Sequence, residues 1–226
     1  MRKFLASTAL SLVIALPAAA ANLVSNGSFE DGINGWTIGG VDTQGYPPVA
    51  IFYGAAQPYP NGAFGEAVPA NNAPTNSPDA VGGRAAYFVT DFAANQSLTQ
   101  TIFLTPGTYQ IGFSAYAPAN GYANQGDATF SGTVLDVILA DYTVSSKPST
   151  TWTSYQGATD ILVAGNYEIK FVFNTNLFPS KDVVIDQVYV IEGNPPPPVV
   201  DVPAPAALGL FGMGLLGLAA VRRRRA

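Results

Sequence analysis

The most constraining feature of the sequence is a regular alternation of apolar and polar residues in its middle. Tyr109–Tyr116 and Tyr167–Phe173 both place apolar residues, most of them aromatic or β-branched, at every second position. This period of two is typical of half-buried β-strands, and no segment from Asn22 to Gly193 keeps a helical period. Loops rich in glycine, proline and asparagine separate five further predicted strands: Arg84–Thr90, Ser97–Leu104, Val134–Val144, Thr151–Ala158 and Val183–Ile191.

Two of these strands have closely similar beginnings. Leu104–Phe113 and Leu162–Phe171 are identical at five of ten positions. Each segment is interpreted as a strand, a glycine turn and a second strand, which is the spacing of an antiparallel hairpin. Two copies are too few for a solenoid. The sequence therefore predicts an all-β domain, residues 22–193, folded as an antiparallel β-sandwich.

The N-terminus has the pattern of a secretory signal peptide. A basic start, Arg2 and Lys3, precedes the apolar run Phe4–Leu16, and small residues follow at Ala18–Ala21. This order predicts export through the Sec machinery, with cleavage after Ala20 or Ala21. Residues 1–21 are accordingly left out of the fold.

The C-terminus has a different pattern. A linker, residues 194–201, contains four consecutive prolines, which favour a stiff extended chain. The uncharged stretch Ala206–Val221 then leads to four arginines, Arg222, Arg223, Arg224 and Arg225. The stretch is short for a membrane span of ~20 residues, but arginine stems can extend it toward the headgroups. We expect a transmembrane helix whose C-terminus is cytoplasmic, because positive charge stays on that side.

Residues 202–226 resemble the PEP-CTERM sorting signal of Gram-negative bacteria. The resemblance rests on the order of three elements: Val202, Pro203 and Pro205, the glycine-rich apolar stretch, and the arginine cluster. It implies recognition by a membrane-embedded exosortase, transient anchoring in the inner membrane, and release to the cell surface or the extracellular space. Ala204 stands where the signal usually has glutamate, which implies a variant signal. Whether the tail is cut or kept as an anchor stays open.

The residue types that are missing exclude whole classes of chemistry. The chain has no cysteine and no histidine, so it can form neither a disulfide, a Ser-His-Asp triad, a Cys-His nucleophile nor a His/Cys zinc site. Loss of both termini leaves 4 basic and 15 acidic residues, a net charge of −11, which disfavours nucleic acid as a partner. A glycosidase or lyase with paired carboxylates is the one plausible enzyme, but no catalytic spacing is recognisable.

A second resemblance covers most of the domain. The opening Asn22–Gly32, followed by Gly35 and Trp36, and the closing segment Ile185–Val190 are similar to carbohydrate-binding modules with a galactose-binding-like jelly roll. The resemblance implies a non-catalytic jelly roll that associates with polysaccharide. Trp36 is then expected in the core, with a sugar platform as its alternative role.

The resemblance also implies a structural calcium site. In these modules the corresponding glutamate and aspartate bind Ca²⁺ together with backbone carbonyls, and Glu30 and Asp186 stand at those positions. Calcium prefers such hard oxygen ligands, and it would tie the first segment of the domain to the last. The alternative is that both residues are ordinary carboxylates.

The long loop Val41–Gly83 is a further candidate site. It is rich in glycine, proline and asparagine and contains Tyr46, Tyr53 and Tyr59, whose rings could stack on sugars. Alternatively these rings pack the loop onto the sandwich. The sequence as a whole favours a surface or extracellular-matrix protein that binds polysaccharide. A carboxylate-dependent glycosidase or lyase, and a purely structural coat or biofilm component, are the alternatives.

The tail generates a test of the sorting interpretation. Neutral residues in place of Arg222–Arg225 should misplace the precursor, because the charge that fixes its orientation is lost. Replacement of Pro203 and Pro205 should leave a correctly oriented but uncleaved precursor. Fractionation with immunoblotting compares both variants with the parent. If both variants reach the surface normally, the sorting interpretation is wrong.

Overall fold

The computed structural model of the chain describes residues 20–63 and 65–193, which form ten β-strands. The strands are β1 Thr37–Asp42, β2 Val49–Phe52, β3 Arg84–Phe88, β4 Ala93–Leu104, β5 Gly107–Tyr116, β6 Ala128–Val134, β7 Val137–Thr143, β8 Thr153–Ile161, β9 Gly165–Thr175 and β10 Val183–Glu192. A short helix, α1 (Ala119–Tyr122), and a 3₁₀ turn, Val144–Ser146, complete the described elements.

The strands form two five-stranded sheets. The first sheet has the order β1-β4-β9-β6-β7, the second has the order β2-β3-β10-β5-β8, and every pair is antiparallel. Apolar side chains from both sheets meet between them in one core. The predicted all-β antiparallel sandwich is therefore confirmed.

Aromatic rings fill much of the space between the sheets. The ring of Phe113, from the second sheet, meets Phe171 of the first edge-to-face, with centroids 4.9 Å apart. Trp36 stacks on Phe29 at 5.4 Å, and its indole Nε1 donates to the carbonyl of Asn26 over 3.1 Å. Only 8% of Trp36 is exposed, so this residue belongs to the core, as expected.

The two similar segments are not hairpins, and this prediction was wrong. Strand β4 lies in the first sheet and β5 in the second, so Leu104–Gly107 crosses between the sheets; Ile161–Gly165 crosses in the opposite direction. The Tyr109 hydroxyl donates to the carbonyl of Thr105 over 2.9 Å, and that of Tyr167 to the carbonyl of Val163 over 2.7 Å. These two tyrosine corners close equivalent turns. A strand-glycine-strand pattern does not reveal whether the second strand stays in the same sheet.

Three strands were not predicted from the sequence. Strands β1 and β2 fall partly or wholly inside the segment Val41–Gly83, and β6 precedes the predicted strand Val134–Val144. That predicted strand is split by a two-residue turn at Leu135 and Asp136, whose φ angles are 51° and 64°. Positive φ at both positions suits a hairpin turn, but leucine is rarely found there.

The chain after β2 forms a cover, residues 53–83, over the outer face of the second sheet. Apolar residues of the cover pack there on side chains from β3, β5 and β10 in a second core cluster. The covering side chains include Ala63, Val68 and Ala73; the sheet contributes Ala85, Tyr87, Tyr116 and Val184. The outer face of the first sheet has no such cover among the described residues, and the polar strand pattern of β9 fits this exposure.

The predictions for the two termini fall outside the described part of the chain. Most of the signal peptide, the linker, the predicted transmembrane helix and the sorting tail lie in residues 1–19 and 194–226. Within residues 20–63 and 65–193, no helix has the length and apolar character needed to cross a membrane.

The tyrosine corners should contribute measurably to stability. Tyr109→Phe removes a hydroxyl that bonds in a buried setting, since only 1% of Tyr109 is exposed. Its loss should lower the free energy of unfolding by about 0.5–1.5 kcal/mol, or more if the Thr105 carbonyl stays unsatisfied. Tyr167→Phe should cost less because Tyr167 is partly exposed. Urea denaturation measures both; equal stability of Tyr109→Phe and the parent would contradict the corner's role.

Candidate functional site

An open groove lies at one end of the sandwich, where three connections meet. The end of β1, the β3–β4 connection and the β9–β10 connection line it, and its volume is about 480 Å³. The main lining residues are Val41, Thr43, Asp91, Phe92, Asn176, Leu177 and Phe178. This size and this mixture of apolar walls with a few polar groups are typical of small-ligand sites.

Two stacked phenylalanines form one wall of the groove. The rings of Phe92 and Phe178 are 5.6 Å apart and inclined by only 11°. They are 48% and 58% exposed, which is unusual for a stacked aromatic pair in a domain with so many buried rings. Neighbouring Val41 and Leu177 are also about half exposed, so the wall is apolar and open to solvent.

Hydrogen bonds fix the two connections that carry these rings. The Asp91 carbonyl accepts from the Thr175 hydroxyl over 2.7 Å, and the Asp91 carboxylate accepts from the backbone N–H of Ser180 over 2.6 Å. Asp91 thus joins the β3–β4 connection to both sides of the β9–β10 connection. The aromatic pair is therefore held in place before any ligand arrives.

The β1–β2 connection is tied to the same place. The side-chain Oε1 of Gln44 accepts from the Asp91 backbone N–H over 2.8 Å, and Thr90 donates to Asp42 over 2.6 Å. Both Asp91 carboxylate oxygens are engaged, one by Ser180 and the other by the Gln44 amide at 3.3 Å. Asp91 consequently organises the groove rather than offering a free base.

The predicted sugar-stacking tyrosines do not lie in this groove lining. Tyr46 and Tyr59 meet edge-on at 5.0 Å, and the Tyr59 hydroxyl donates to the carbonyl of Val89 over 3.0 Å. Tyr53 donates to the Asp186 carboxylate over 2.6 Å. Burial raises the pKa of both Tyr53 and Tyr59 above the ordinary value. All three rings pack against the second core cluster, between the cover and the second sheet. Their contact with sugar stays a prediction.

Asp186 is fully buried beneath the cover. Its Oδ2 accepts from Tyr53 and, over 3.4 Å, from the Asn71 amide, whereas Oδ1 accepts no hydrogen bond from the described residues. Burial raises the pKa of Asp186 to about 7, and the Tyr53 hydrogen bond opposes this shift. The nearby charge of Glu30 adds to the increase. The backbone N–H of Tyr53 donates to the carbonyl of Gly83, whose own N–H donates to Glu30, so both predicted calcium ligands lie beside Tyr53.

Glu30 is exposed to solvent and already accepts two backbone hydrogen bonds. Its Oε1 accepts from the backbone N–H groups of Gly83 and Arg84 over 2.9 and 2.8 Å. Oδ1 of Asp186 and Oε2 of Glu30 are hard oxygen donors of the kind calcium prefers, and a complete shell would also need backbone carbonyls and water. No group of three or more acidic, histidine or cysteine side chains suited to a metal occurs in the described ranges. Calcium binding stays a prediction.

A second buried carboxyl, Asp182, was missed by the sequence reasoning. The Tyr87 hydroxyl donates to it over 2.5 Å, and burial raises the pKa of Asp182 to about 8, with Asp91 contributing charge repulsion. Asp182 and Asp186 are four residues apart, so they share the outer face of the second sheet. That spacing was visible in the sequence, but the cover that buries them was not.

The sequence of the tail has a known counterpart. Residues 201–225 match the PEP-CTERM protein-sorting motif. This motif implies export and a C-terminal tail anchored in the membrane. The matched residues lie outside the described part of the chain. No curated protein shows significant similarity to the chain as a whole.

Solved structures with a similar fold include carbohydrate-binding modules. One is a family 61 module in complex with β-1,4-galactotriose, with 16% identity and a TM-score of 0.45, covering 77% of this chain and 100% of its own. Another is the CBM22-1 xylan-binding domain from Paenibacillus barcinonensis Xyn10C. It has 15% identity and a TM-score of 0.42, and the match covers 77% of this chain and 96% of that domain.

An enzyme is also among the similar structures. The enzymatically active domain of bacteriophage CBA120 tailspike protein 4 has 20% identity and a TM-score of 0.47; the match covers 76% of this chain but 21% of the tailspike. At these identities the similarity concerns the fold and does not extend to function.

The buried carboxyls predict how stability depends on pH. Because the folded pKa of Asp186 is above its unfolded value, its stabilising effect is complete below about pH 4 and lost as the pH rises through about 7. In buffer that contains a chelator, thermal melts should show the stability of the domain falling from pH 5 to pH 8. Asp186→Asn should remove the part of this pH dependence that Asp186 causes, which is on the order of 4 kcal/mol in the free energy of unfolding.

Calcium should change this dependence if Glu30 and Asp186 bind it. Added Ca²⁺ should raise the melting temperature at pH 8 more than at pH 5, since it binds the ionised carboxylate and only the folded state. Glu30→Gln should abolish the response. Asp182→Asn is the matched control, because it removes a buried acid but should keep the calcium effect. Identical melting temperatures with and without calcium would contradict the predicted site, and Glu30 and Asp186 would then be ordinary carboxylates.

Proposed function

We propose that this chain is an exported surface or extracellular-matrix protein whose sandwich binds neutral polysaccharide in the groove. The observation that carries the proposal is the pair Phe92 and Phe178, stacked and about half exposed along an open cleft. Exposed rings in a fixed position offer apolar area at little cost in side-chain entropy. Sugars have apolar C–H faces bordered by hydroxyl groups, which suit an aromatic wall with polar neighbours.

Charge supports a neutral ligand. Without the signal peptide and the sorting tail, the chain carries a net charge of −11, and Asp91 lines the groove. Polyanions would meet repulsion there, whereas a neutral glycan would not. Thr43 and Asn176 supply the groove with polar groups that can bond to hydroxyls.

The tail gives the proposal its cellular setting. We infer that the Sec machinery exports the chain and that an exosortase-type enzyme acts on residues 202–205 while the tail is in the inner membrane. Cleavage would release the domain to the surface or the matrix, and an uncut tail would keep it as an anchored receptor for the same polysaccharide. The match of residues 201–225 supports both routes.

A carboxylate-dependent glycosidase or lyase is less well supported. The pKa of Asp182 and of Asp186 is raised, as in many general acids. Asp182 directly precedes β10 and Asp186 lies within it, so their separation of four residues spans about 13 Å of extended chain. Glycosidase carboxyls stand about 5–9.5 Å apart. Asp182 and Asp186 are also buried, with 1% or less exposed. A purely structural coat component, with no discrete ligand, is the remaining alternative.

The aromatic pair provides the test. Phe92→Ala and Phe178→Ala should each weaken retention in native gels containing neutral polysaccharide, by roughly twofold to thirteenfold if one stacking contact of about 0.5–1.5 kcal/mol is lost. Phe103→Ala is the matched control, because Phe103 is 67% exposed but lies at the other end of β4. Its retention should equal that of the parent.

Four other outcomes would contradict the proposal. Parental retention of both groove variants would move the ligand elsewhere, and equal losses in all three variants would indicate non-specific adhesion. Absence of binding to every glycan on an array would favour the structural coat. Release of reducing ends from a bound polysaccharide, abolished by Asp186→Asn, would favour the enzyme.

A further inference from the structure

The end of the sandwich opposite the groove is apolar. Leu162, Val163 and Phe103 are 83%, 70% and 67% exposed, more than nearly all other large apolar residues of the described chain. Leu162 and Val163 form the β8–β9 crossing, and Phe103 pairs with Asn166 at the start of β9. We call these three residues the apolar end. It is too exposed to stabilise the fold and needs another explanation.

The chain leaves the domain at this same end. The backbone N–H of Gly193 donates to the carbonyl of Thr108 over 2.8 Å. Thr108 pairs with Asp160, one residue before the last residue of β8, so Gly193 is fixed beside the crossing that carries Leu162. The last described residue, Gly193, therefore lies at the same end of the sandwich as the apolar end.

The sequence after Gly193 contains the predicted membrane anchor. Twelve residues separate Gly193 from the apolar stretch that begins at Ala206, inside the matched sorting motif. A fully extended chain of that length spans about 37 Å at 3.1 Å per residue. The exit point, and the apolar end beside it, thus stay within reach of the bilayer for as long as the tail is in place.

We propose that the apolar end docks on the lipid surface in which the tail is anchored. The partner chemistry is the interface of an electrically neutral bilayer, because Asp160 and Glu192 flank the exit and would be repelled by anionic headgroups. Leucine, valine and phenylalanine side chains gain free energy when such an interface removes them from water.

Docking would also orient the groove. Strand β4 begins beside the groove at Ala93 and ends beside the crossing at Leu104, a length of about 40 Å for twelve residues. With the apolar end on the bilayer, the wall formed by Phe92 and Phe178 faces away from the membrane. The anchored precursor would then present its groove to the extracellular side.

The absence of cysteine allows a site-specific test on the full chain. Leu162→Cys and, as a control, Ile138→Cys are labelled with an environment-sensitive thiol fluorophore and bound to phosphatidylcholine vesicles. Ile138 is as exposed as Phe103, at 67%, but lies on β7 in the first sheet. Only chains that float with the vesicles are measured. The probe at position 162 should emit at shorter wavelength and be quenched by brominated acyl chains, whereas the probe at 138 should not.

A second variant tests the surface itself. Phe103→Ser with Val163→Ser should return the probe at position 162 to its emission in water, with the melting temperature of the sandwich nearly unchanged. Equal quenching at 162 and 138, or quenching that survives the double substitution, would overturn the proposal. A shift at 162 that depends on protein concentration without vesicles would show that a second copy of the chain covers the apolar end.

Discussion

Strand β10 is buried on both of its faces, so the polar side chains on its outer face need hydrogen-bond partners from the protein instead of water. One face of β10 joins the aromatic core, and the other carries Asp186 under the cover. Asp182, which directly precedes β10, is buried as well. Each carboxyl loses its water and receives a tyrosine hydroxyl in exchange, from Tyr87 and Tyr53. A buried acid with one good donor is costly when ionised. The cover is thus stabilised by apolar packing and opposed by the charges beneath it.

This arrangement leaves the outer face of the second sheet covered and the groove at the end of the strands open. The cover occupies the outer face of the second sheet, so an open cleft of ligand size has to be built elsewhere. It forms at the end of the strands, from connections that Asp91 joins by hydrogen bonds to backbone and side chain. Without disulfides, such bonds and the two tyrosine corners hold the crossings and connections in position.

The sequence allowed the strands to be predicted better than their partners. Alternation located β5, β9 and β10 because one face of each strand packs in the core, and the same logic placed Trp36 there. The hairpin prediction failed because the turn at Gly107 specifies a change of direction and says nothing about which sheet receives β5. Short or glycine-rich strands such as β1 gave too little periodic signal.

The groove was beyond sequence reasoning for a related reason. Phe92 and Phe178 are single aromatic residues in separate loops, and only the pairing of β4 with β9 brings their connections together. Tyr46, Tyr53 and Tyr59 were predicted to bind sugar because they cluster in one segment. In the structure most of that segment forms the cover, and the three rings pack against the second core cluster. Glu30 and Asp186 were found through a family resemblance, and the structure adds that both lie beside Tyr53.

The hydrogen bonds of Asn22 have a consequence for maturation. Its side-chain amide donates to the Val188 carbonyl over 2.9 Å and to Asp79 over 2.6 Å, and its Oδ1 accepts from the backbone N–H of Val190 over 3.0 Å. The sequence predicts a signal peptide that is cut after Ala20 or Ala21, which would make Ala21 or Asn22 the first residue of the mature chain. A signal peptidase must reach the residues on both sides of the bond it cuts, and the hydrogen bonds of a docked Asn22 would hold this segment against β10. If the signal peptide is removed there, we expect processing to precede the last step of folding, after which the new amino terminus becomes part of the edge of β10.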